Sequence, residues 1–574
     1  MQNKQTLFSL LFLFLSFFSF SQTTYLPQGA RENILLERLE IKAGTDSILN
    51  FSKTKPFSRK QFIPVIEKYY LKSSATVDMV PVDMPQTQVK ELSAAKQLSD
   101  VDRYNAQLAL MKNSEWSTQK FTSKKTFWKN FYRSPANFYE VNTKDFSLVL
   151  NPVFQYVAGK EKDNSEYIFL NSRGLVLRGM IANKIGFAAY ITENQERVPK
   201  YVQALVAERQ AVPGAGFYKD FKNTAYDYLD ARGYITFNAA KYIDITFGYD
   251  RNFIGNGHRS LLLSDFANNA LFLKLNTRIW KLNYQNLFME LVKTHPRNFD
   301  IFRNKKYAAI HHLDVGVTKW LNIGVFEGVV FGRPDHFEFG YLNPVIFYRS
   351  AELDNGSFDN GIAGFDAKAN LKNHLQLYGQ FLIDEFKIHE LKNKWWGNKF
   401  GFQLGGKYID AFGINNLDLQ AEWNRVRPFT YAHADSVANY THDNQPLAHP
   451  LGANFNEWNW LVRYQPAAKW MLQAKAVFYK QGKDTSSVSY GSNIFLIDEP
   501  PYRTMDYGYE VGSGALTKVD YTSFLLSYEL KPNFFLETNA VIRKQTAFKN
   551  NPAQNTFVIY AGIRWNMHRR EFDF

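Results

Sequence analysis

From Phe146 onward the chain repeats one device: a segment of roughly ten residues in which apolar and polar side chains alternate, closed by a turn signal. "FSLVLNPVFQYV", "YIDITFGYD", "LDLQAEW" and "MLQAKAVFYK" are instances. Residues two apart share a face of a strand, so each segment has one greasy side and one wet side. In the last, "FVIYAGIRWNMHRREFDF", Phe557, Ile559, Ala561, Ile563, Trp565 and Met567 fall on one face, and Tyr560, Gly562, Arg564, Asn566 and His568 on the other. About eighteen such segments follow one another, an even number, as an antiparallel barrel with both ends on one side requires. An open sheet would leave unpaired N–H and C=O groups in hydrocarbon, whereas closure pairs them.

Connection lengths carry a second, independent regularity. Short turns fall near Asn183, Ala240, Trp280, Trp320, Lys372, Phe412, Pro466 and Lys531, and they alternate with long loops near 195–230, 251–268, 293–305, 332–359, 386–397, 426–454 and 482–518. Tight periplasmic turns and extended external loops sort in this way. A soluble sandwich or propeller also strings short strands together but does not sort its loops. The expectation is an all-β fold, a transmembrane outer-membrane β-barrel of about 18 antiparallel strands.

Mean hydropathy is −0.35, and after the N-terminus no stretch approaches the roughly 18 to 20 apolar residues of a membrane helix, so strands must do the spanning. Lys4 followed by "LFSLLFLFLSFFSF" and the small-residue site Ser19-Phe20-Ser21 reads as a cleaved secretory signal. Cysteine is absent, which excludes disulfides, thiol catalysis, iron–sulfur clusters and an acylated lipoprotein cysteine. A net charge of +14 favours anionic partners. For an exported chain these are outer-membrane lipid and an acidic surface polysaccharide, not nucleic acid.

Residues 30 to about 115 are of another kind. "RENILLERLEIKAG" has helix-period Leu35, Leu36 and Leu39 and stops near Gly44; "SRKQFIPVIEKYYLKS" offers Ser58 as an N-cap; "QVKELSAAKQLSDVDRYNAQLALMKN" is rich in helix formers, and "MVPVDMPQ" links them. The predicted organisation is a signal peptide over 1–21, an N-terminal helical periplasmic plug over 22–140 and the barrel over 141–574.

Little in the sequence looks catalytic. The adjacent residues of "HHLD" (His311 to Asp314) and "IDEF" (Ile383 to Phe386) point to opposite strand faces, which argues against a metal pair and against paired acid–base work. "GNGHRS" (Gly255 to Ser260) lacks the strand–turn–helix setting of a nucleotide loop or nucleophile elbow and reads as a turn. His442 and Asn444 of "YTHDNQP" could belong to a phospholipase-type triad, but no serine is tied to them by a motif. No enzyme, cofactor or metal is expected. The long loops are more suggestive, because aromatic planes stack on sugar rings and Arg forks grip carboxylates. "FGRPDHFEFGYLNPVIFYRSAELDNGSFDN" supplies Arg333, Asp335, His336, Tyr341, Tyr348 and Arg349; "NRVRPFTYAHADSVANYTHDNQPLAHP" supplies Arg425, Arg427 and Tyr431. These nine are the predicted glycan-binding set, against the plainer reading that they fold the loops over the barrel mouth.

The strings "GNGHRSLLLSDFANNALFLKLNT", "LNIGVFEGVVFGR", "FEFGYLNPVIFYRS", "LYGQFLIDEFK", "WWGNKFGFQLGGKYIDAFGINNLDLQAEWNRVRPFTY" and "HDNQPLAHPLGANF", with "LLERLEIK" near the start, resemble the Wzi-type capsule-assembly outer-membrane proteins, in the branch that includes the RemB gliding-motility proteins. That resemblance implies an eighteen-stranded barrel closed on its periplasmic side by a helical bundle, acting as a surface lectin that organises capsular polysaccharide. For RemB-like members it implies a cell-surface part in gliding. Two other readings stay open: a porin-like channel, for which an eighteen-stranded barrel is wide enough, and a barrel subunit of a secretion or motility machine. In the closing strand, Phe557, Ile559, Ile563, Trp565 and Met567 are expected to face lipid and Tyr560, Arg564 and Asn566 the lumen. Phe574 is expected to end in the periplasm, available to barrel-assembly machinery.

Overall fold

The computed structural model describes residues 23–74, 98–123, 130–297, 301–333, 336–345, 347–356, 359–485, 488–546 and 552–574. The predicted signal peptide and the "MVPVDMPQ" linker lie outside them. Eighteen long strands run in chain order: β1 (Phe146–Glu161), β2 (Tyr167–Ile181), β3 (Ile185–Arg197), β4 (Ala225–Ala240), β5 (Ile243–Asp250), β6 (Ala270–Ile279), β7 (Leu282–Val292), β8 (Lys305–Gly316) and β9 (Leu321–Phe331). They continue as β10 (Asn360–Leu371), β11 (Leu375–Glu385), β12 (Lys399–Tyr408), β13 (Leu417–Val426), β14 (Phe455–Ala467), β15 (Trp470–Lys483), β16 (Ala515–Lys531), β17 (Phe534–Gln545) and β18 (Gln554–Trp565). Each pairs antiparallel with the next, and β18 pairs with β1 from Val558↔Glu161 to Trp565↔Phe154, which closes the barrel.

Period-two chemistry sets the faces. Along β16, Phe524 is 53% exposed on the outside, whereas its neighbour Ser523 is 7% exposed and points inward. All eight predicted short turns lie at one end and the long loops at the other. The first connection at the loop end, 162–166, is short as well.

The short-turn end is plugged by α1 (Arg31–Ala43), α2 (Arg59–Ser74) and α3 (Asp100–Lys112). Helix α1 stops at Gly44, whose φ of 65° is the left-handed conformation that glycine adopts without a Cβ penalty. A capping box between Ser99 and Asp102 starts α3. Leu35, Leu36 and Leu39 of α1 bury against Phe62, Ile63 and Ile66 of α2 and Ala106, Ala109 and Leu110 of α3. The bundle is fastened to the wall by charge. Arg38 donates to Asp102 (2.8 Å), Asp410 (2.7 Å) and Asp418, and Lys42 reaches Asp102 (2.7 Å) and Asp410 (2.9 Å). Glu40 takes Lys368 at 2.5 Å, while Lys53 is held between Asp314 (3.0 Å) and Asp366.

The closing strand corrects two expectations. Phe557 and Ile559 do face outward, at 42% and 50% exposure, and Arg564 pairs inward with Glu537 at 2.7 Å. The strand ends at Trp565, however, and Asn566, at φ 52°, turns the chain inward so that Met567 is buried. Residues 568–574 then ascend the lumen, and Phe574, 8% exposed, packs edge-on against Tyr201 and Phe266. Its predicted periplasmic exposure is overturned because the segment carries two arginines and two acidic side chains between His568 and Asp573, and all four find luminal partners.

Two tests follow from the plug. Asp102→Asn leaves Arg38 and Lys42 buried beside one carboxylate fewer, and should cost about 3–5 kcal/mol of plug stability, read as faster proteolysis within 31–112 of protein in detergent. Burial alone would raise the Glu37 carboxyl, but Lys407 (3.1 Å), Lys55 and Arg463 outweigh it and pull the group down to about 2. A depressed carboxyl stabilises fully above its ordinary value of 4.5 and loses that contribution as pH falls toward 2, so plug protection should decline in that window.

Candidate functional site

The two loops that supply the predicted glycan-binding set go to different places. The 332–359 loop does not cover the mouth; it folds down over the outer wall of β7 to β9. Register brings Asn286, His311 and Glu327 side by side there, on the outward face. These are polar groups where neighbouring outward positions such as Ile323 and Val325 are apolar. The loop covers them through 3-10 turn 339–342 and α4 (Tyr348–Asn355): the Tyr348 ring lies 4.0 Å from the His311 ring, the Tyr348 N–H donates to Glu327 (2.9 Å), and the Tyr284 hydroxyl donates to the Pro344 carbonyl (2.5 Å). Phe288, Tyr307 and Phe331 of the wall and Tyr341, Tyr348 and Ala351 of the flap form one apolar cluster. Covering a polar row that would otherwise meet hydrocarbon gives the flap a physical reason to lie outside.

Within that flap Tyr341 and Tyr348 are buried, and the Tyr341 hydroxyl donates to Asp359 at 2.7 Å. Arg333 is forked onto Asp359 at 2.9 and 2.7 Å. His336 is exposed, Arg349 is exposed and paired with Glu352 (2.7 Å), and Asp335 lies outside the described residues. The flap's free surface carries Phe339, Val345, Phe347 and Leu353, each at least two-thirds exposed.

The 427–454 loop instead closes the lumen. Tyr431 and Tyr440 stack at 5.7 Å and donate to the Leu261 and Leu262 carbonyls at 2.8 and 2.7 Å. In the same loop His442 accepts from the Val292 N–H through Nδ1 (3.0 Å) and meets the Asn269 carbonyl through Nε2 (2.9 Å); burial lowers its pKa. Asn444 is bonded to the backbone at His295. "GNGHRS" is a turn that dips inward, with the His258 and Arg259 N–H groups donating to Glu422 at 2.7 and 3.1 Å. Tyr341, Tyr348 and Tyr431 therefore act as internal packing rather than as open stacking planes.

Open planes occur elsewhere on the loop end. Trp396 N–H donates to the Asp506 carbonyl (3.0 Å), docking loop 386–398 onto loop 484–514. Beside that seam stand half-buried Trp395, with the Lys387 ammonium 4.4 Å from its ring, and exposed Tyr502 and Tyr507. Lys394 pairs with Glu510 at 2.7 Å, and the Glu510 carboxyl is lowered by Lys394 first and by Arg427 and Arg425 after it. Arg425 points outward and is exposed, whereas Arg427 bonds the Asn398 (2.6 Å), Trp395 (3.1 Å) and Tyr509 (3.3 Å) carbonyls. Fully buried Asn454, at the end of loop 427–454, ties together the two flanks of loop 484–514, its amide reaching the Gly482, Tyr490 and Ser513 carbonyls at 2.9 Å each. Sequence reading passed over Trp395, Tyr502 and Tyr507, although "KNKWWGNK" and "YRTMDYGYE" set aromatics beside charge within long loops.

A family model described as capsule assembly protein Wzi matches residues 187–494, more than half of the chain. No curated protein matches in sequence. Among solved structures, that of Wzi from Escherichia coli, described as an outer membrane protein involved in group 1 capsule assembly and a carbohydrate-binding β-barrel, aligns with TM-score 0.55 at 12% identity, over 96% of this chain and 100% of its own. OprD from Pseudomonas aeruginosa aligns at TM-score 0.41 and 12% identity over 79% and 99%, and OccAB2 from Acinetobacter baumannii at 0.40 and 10% over 73% and 98%. At such identities the likeness to Wzi concerns the fold.

The flap is testable by itself. Tyr348→Ala removes its central buried ring, and large-to-Ala losses run to about 3 kcal/mol or more. Trypsin should then cut after Arg349 in detergent-solubilised protein well before it cuts the wild type; unchanged protection would mean that Tyr348 does not hold the flap.

Proposed function

As the chain belongs to the Wzi family of capsule assembly proteins, we propose that it is a non-enzymatic lectin of the outer membrane that holds surface polysaccharide at its loop end. The observation that carries this is the ridge of Trp395, Tyr502 and Tyr507 beside Lys394 and Arg425, aromatic planes and cations on one exposed face. Of the predicted set, Arg425 belongs to this ridge directly, Arg427 and Tyr431 support the loops beneath it, and Arg333, His336, Tyr341, Tyr348 and Arg349 belong to the outer flap. An acidic glycan would match the cations and the net charge of +14. In this reading residues 1–21 direct export, and the helical plug sits in the periplasm.

The channel alternative needs an open lumen. Here α1 to α3 block one end, while loops 251–269 and 427–454 and segment 568–574 enter the interior. This favours binding over conduction. Resemblance to the RemB branch leads us to assign the glycan-holding role to surface spreading as well as to capsule retention. A deletion strain that lost neither would remove both roles, and one that spread normally but shed its capsule would remove gliding alone.

Trp395→Ala combined with Tyr507→Ala should weaken binding to the cell's own capsular or exopolysaccharide fragments about tenfold, the factor that corresponds to roughly 1.4 kcal/mol. Tyr431→Phe, a change inside the scaffold, should leave glycan affinity near wild type. Equal affinity of the double variant and the wild type would move the binding site off this ridge.

A further inference from the structure

Inside the lumen, at mid-height, lies a cluster of cations that the surface lectin reading does not use. Arg259, from the inward-dipping turn, Lys475 of β15 and Arg543 of β17 are 8%, 3% and 5% exposed. Their partners come from the segment after the last strand. Arg259 donates to the Asp573 carboxylate (2.9 Å) and to the Asp573 carbonyl (2.8 Å); Lys475 reaches Asp573 (2.7 Å) and Glu571; His258 meets Asp573 at 2.8 Å; and Arg543 donates to the Phe574 carbonyl (3.2 Å). The fixed wall supplies carboxylates as well. Glu457 stands 3.7 Å from Arg259 but is already bonded by His449 (2.7 Å), and Glu422 takes the backbone N–H groups of His258 and Arg259. Without Glu571 and Asp573 the three cations outnumber these two wall carboxylates.

Three further observations bear on what this cluster is for. Arg259 Nε and Arg543 Nη1 are buried and have no hydrogen-bond partner, so the donors exceed what the segment satisfies. A cavity of about 420 Å³ opens beside Asp573, bordered by Arg251, His258, Arg259, Lys475 and Arg570. Among the described residues, no backbone-to-backbone hydrogen bond holds residues 567–574; the last such bond runs from the Asn566 N–H to the Asn533 carbonyl. The segment is thus attached by side chains and by donations to its carbonyls, and it can leave without breaking the barrel ladder.

We propose that Arg259, Lys475 and Arg543 form a luminal carboxylate-binding site, and that Glu571 and Asp573 occupy it as an internal stand-in for a carboxylate-bearing solute. Binding is an exchange: a solute carboxylate takes the charge-assisted bonds that Asp573 releases, and the orphaned guanidinium donors are then available to it. An uncharged solute gains nothing from that exchange, because it would leave the cations unmatched in a buried site. The ligand chemistry is two or more carboxylates spaced as on a short acidic oligosaccharide or a small dicarboxylic acid.

The test uses the full chain in detergent, with folding verified by heat-modifiable migration. Glu571→Gln with Asp573→Asn should bind a galacturonate trimer at least about tenfold more tightly than wild type does, the order expected from one charge-assisted bond freed from competition, and should ignore a galactose trimer. Adding Lys475→Gln should abolish that binding. Succinate in place of the trimer distinguishes the sources: binding of both assigns the site to small dicarboxylates, and binding of the trimer alone to acidic glycans. A second measurement leaves the carboxylates intact. The chain has no cysteine, so Phe574→Cys introduces a unique thiol. The galacturonate trimer should accelerate its labelling by a charged maleimide, and the galactose trimer should not. A folded double variant that binds neither anion, or labelling indifferent to the anionic trimer, would overturn the proposal.

Discussion

Hydrocarbon offers no partner to a backbone N–H or C=O, and the rest of this structure depends on that constraint. The ladder has to close, from Trp565↔Phe154 to Val558↔Glu161, and closure forces every strand to divide its side chains between lipid and lumen. The outside can then be apolar, as Phe524 and Ile559 are. The inside inherits the polar half of every alternation, and buried polar groups must be paired. Arg38 with Asp102, Asp410 and Asp418, Lys53 with Asp314 and Asp366, and Lys368 with Glu40 are consequences of one closed sheet: the plug is a set of counter-charges for a polar wall.

The same constraint explains the flap. A polar row facing lipid is as costly as an unpaired charge in the lumen, and Asn286, His311 and Glu327 form such a row. The protein covers it from outside with Tyr348 and the Pro344 carbonyl as partners, and it turns Phe347 and Leu353 outward. Two loops of similar composition thus have opposite fates, one drawn inside by the carbonyls of Leu261 and Leu262 and the other drawn outside by Glu327.

This also marks how far the sequence could be read. Alternation and loop sorting gave the closed barrel, the strand number and the placement of the short turns, because those depend on neighbours one or two residues apart. The flap, the ascending segment and the burial of Tyr341, Tyr348 and Tyr431 depend on register between strands distant in sequence. His311 and Glu327 look unremarkable singly; only the pairing of β8 with β9 makes them a row on the lipid side. "HRREFDF" likewise reads as a charged tail until Lys475 and Arg259, far back in the chain, prove to be its partners. Trp395 and Tyr507 are legible in sequence only as loop aromatics set among charged residues, in "KNKWWGNK" and "YRTMDYGYE".

Exposed rings alone do not make a binding face, since a mobile loop gives back in ordering much of what it gains in contact. Here the ridge rests on fixed supports. Asn454 holds three carbonyls from two directions, Arg427 spans the Trp395 and Tyr509 carbonyls, and Lys399 anchors to Asp498 beneath. Asn454 and Arg427 are satisfied by loop carbonyls and Lys399 by a loop carboxylate, so unfolding the loops would strand all three. The polar interior that closure imposes thereby also stiffens the outer face: a plugged, charge-filled lumen is the foundation on which a surface of aromatic planes can be held rigid enough to grip a flexible polymer.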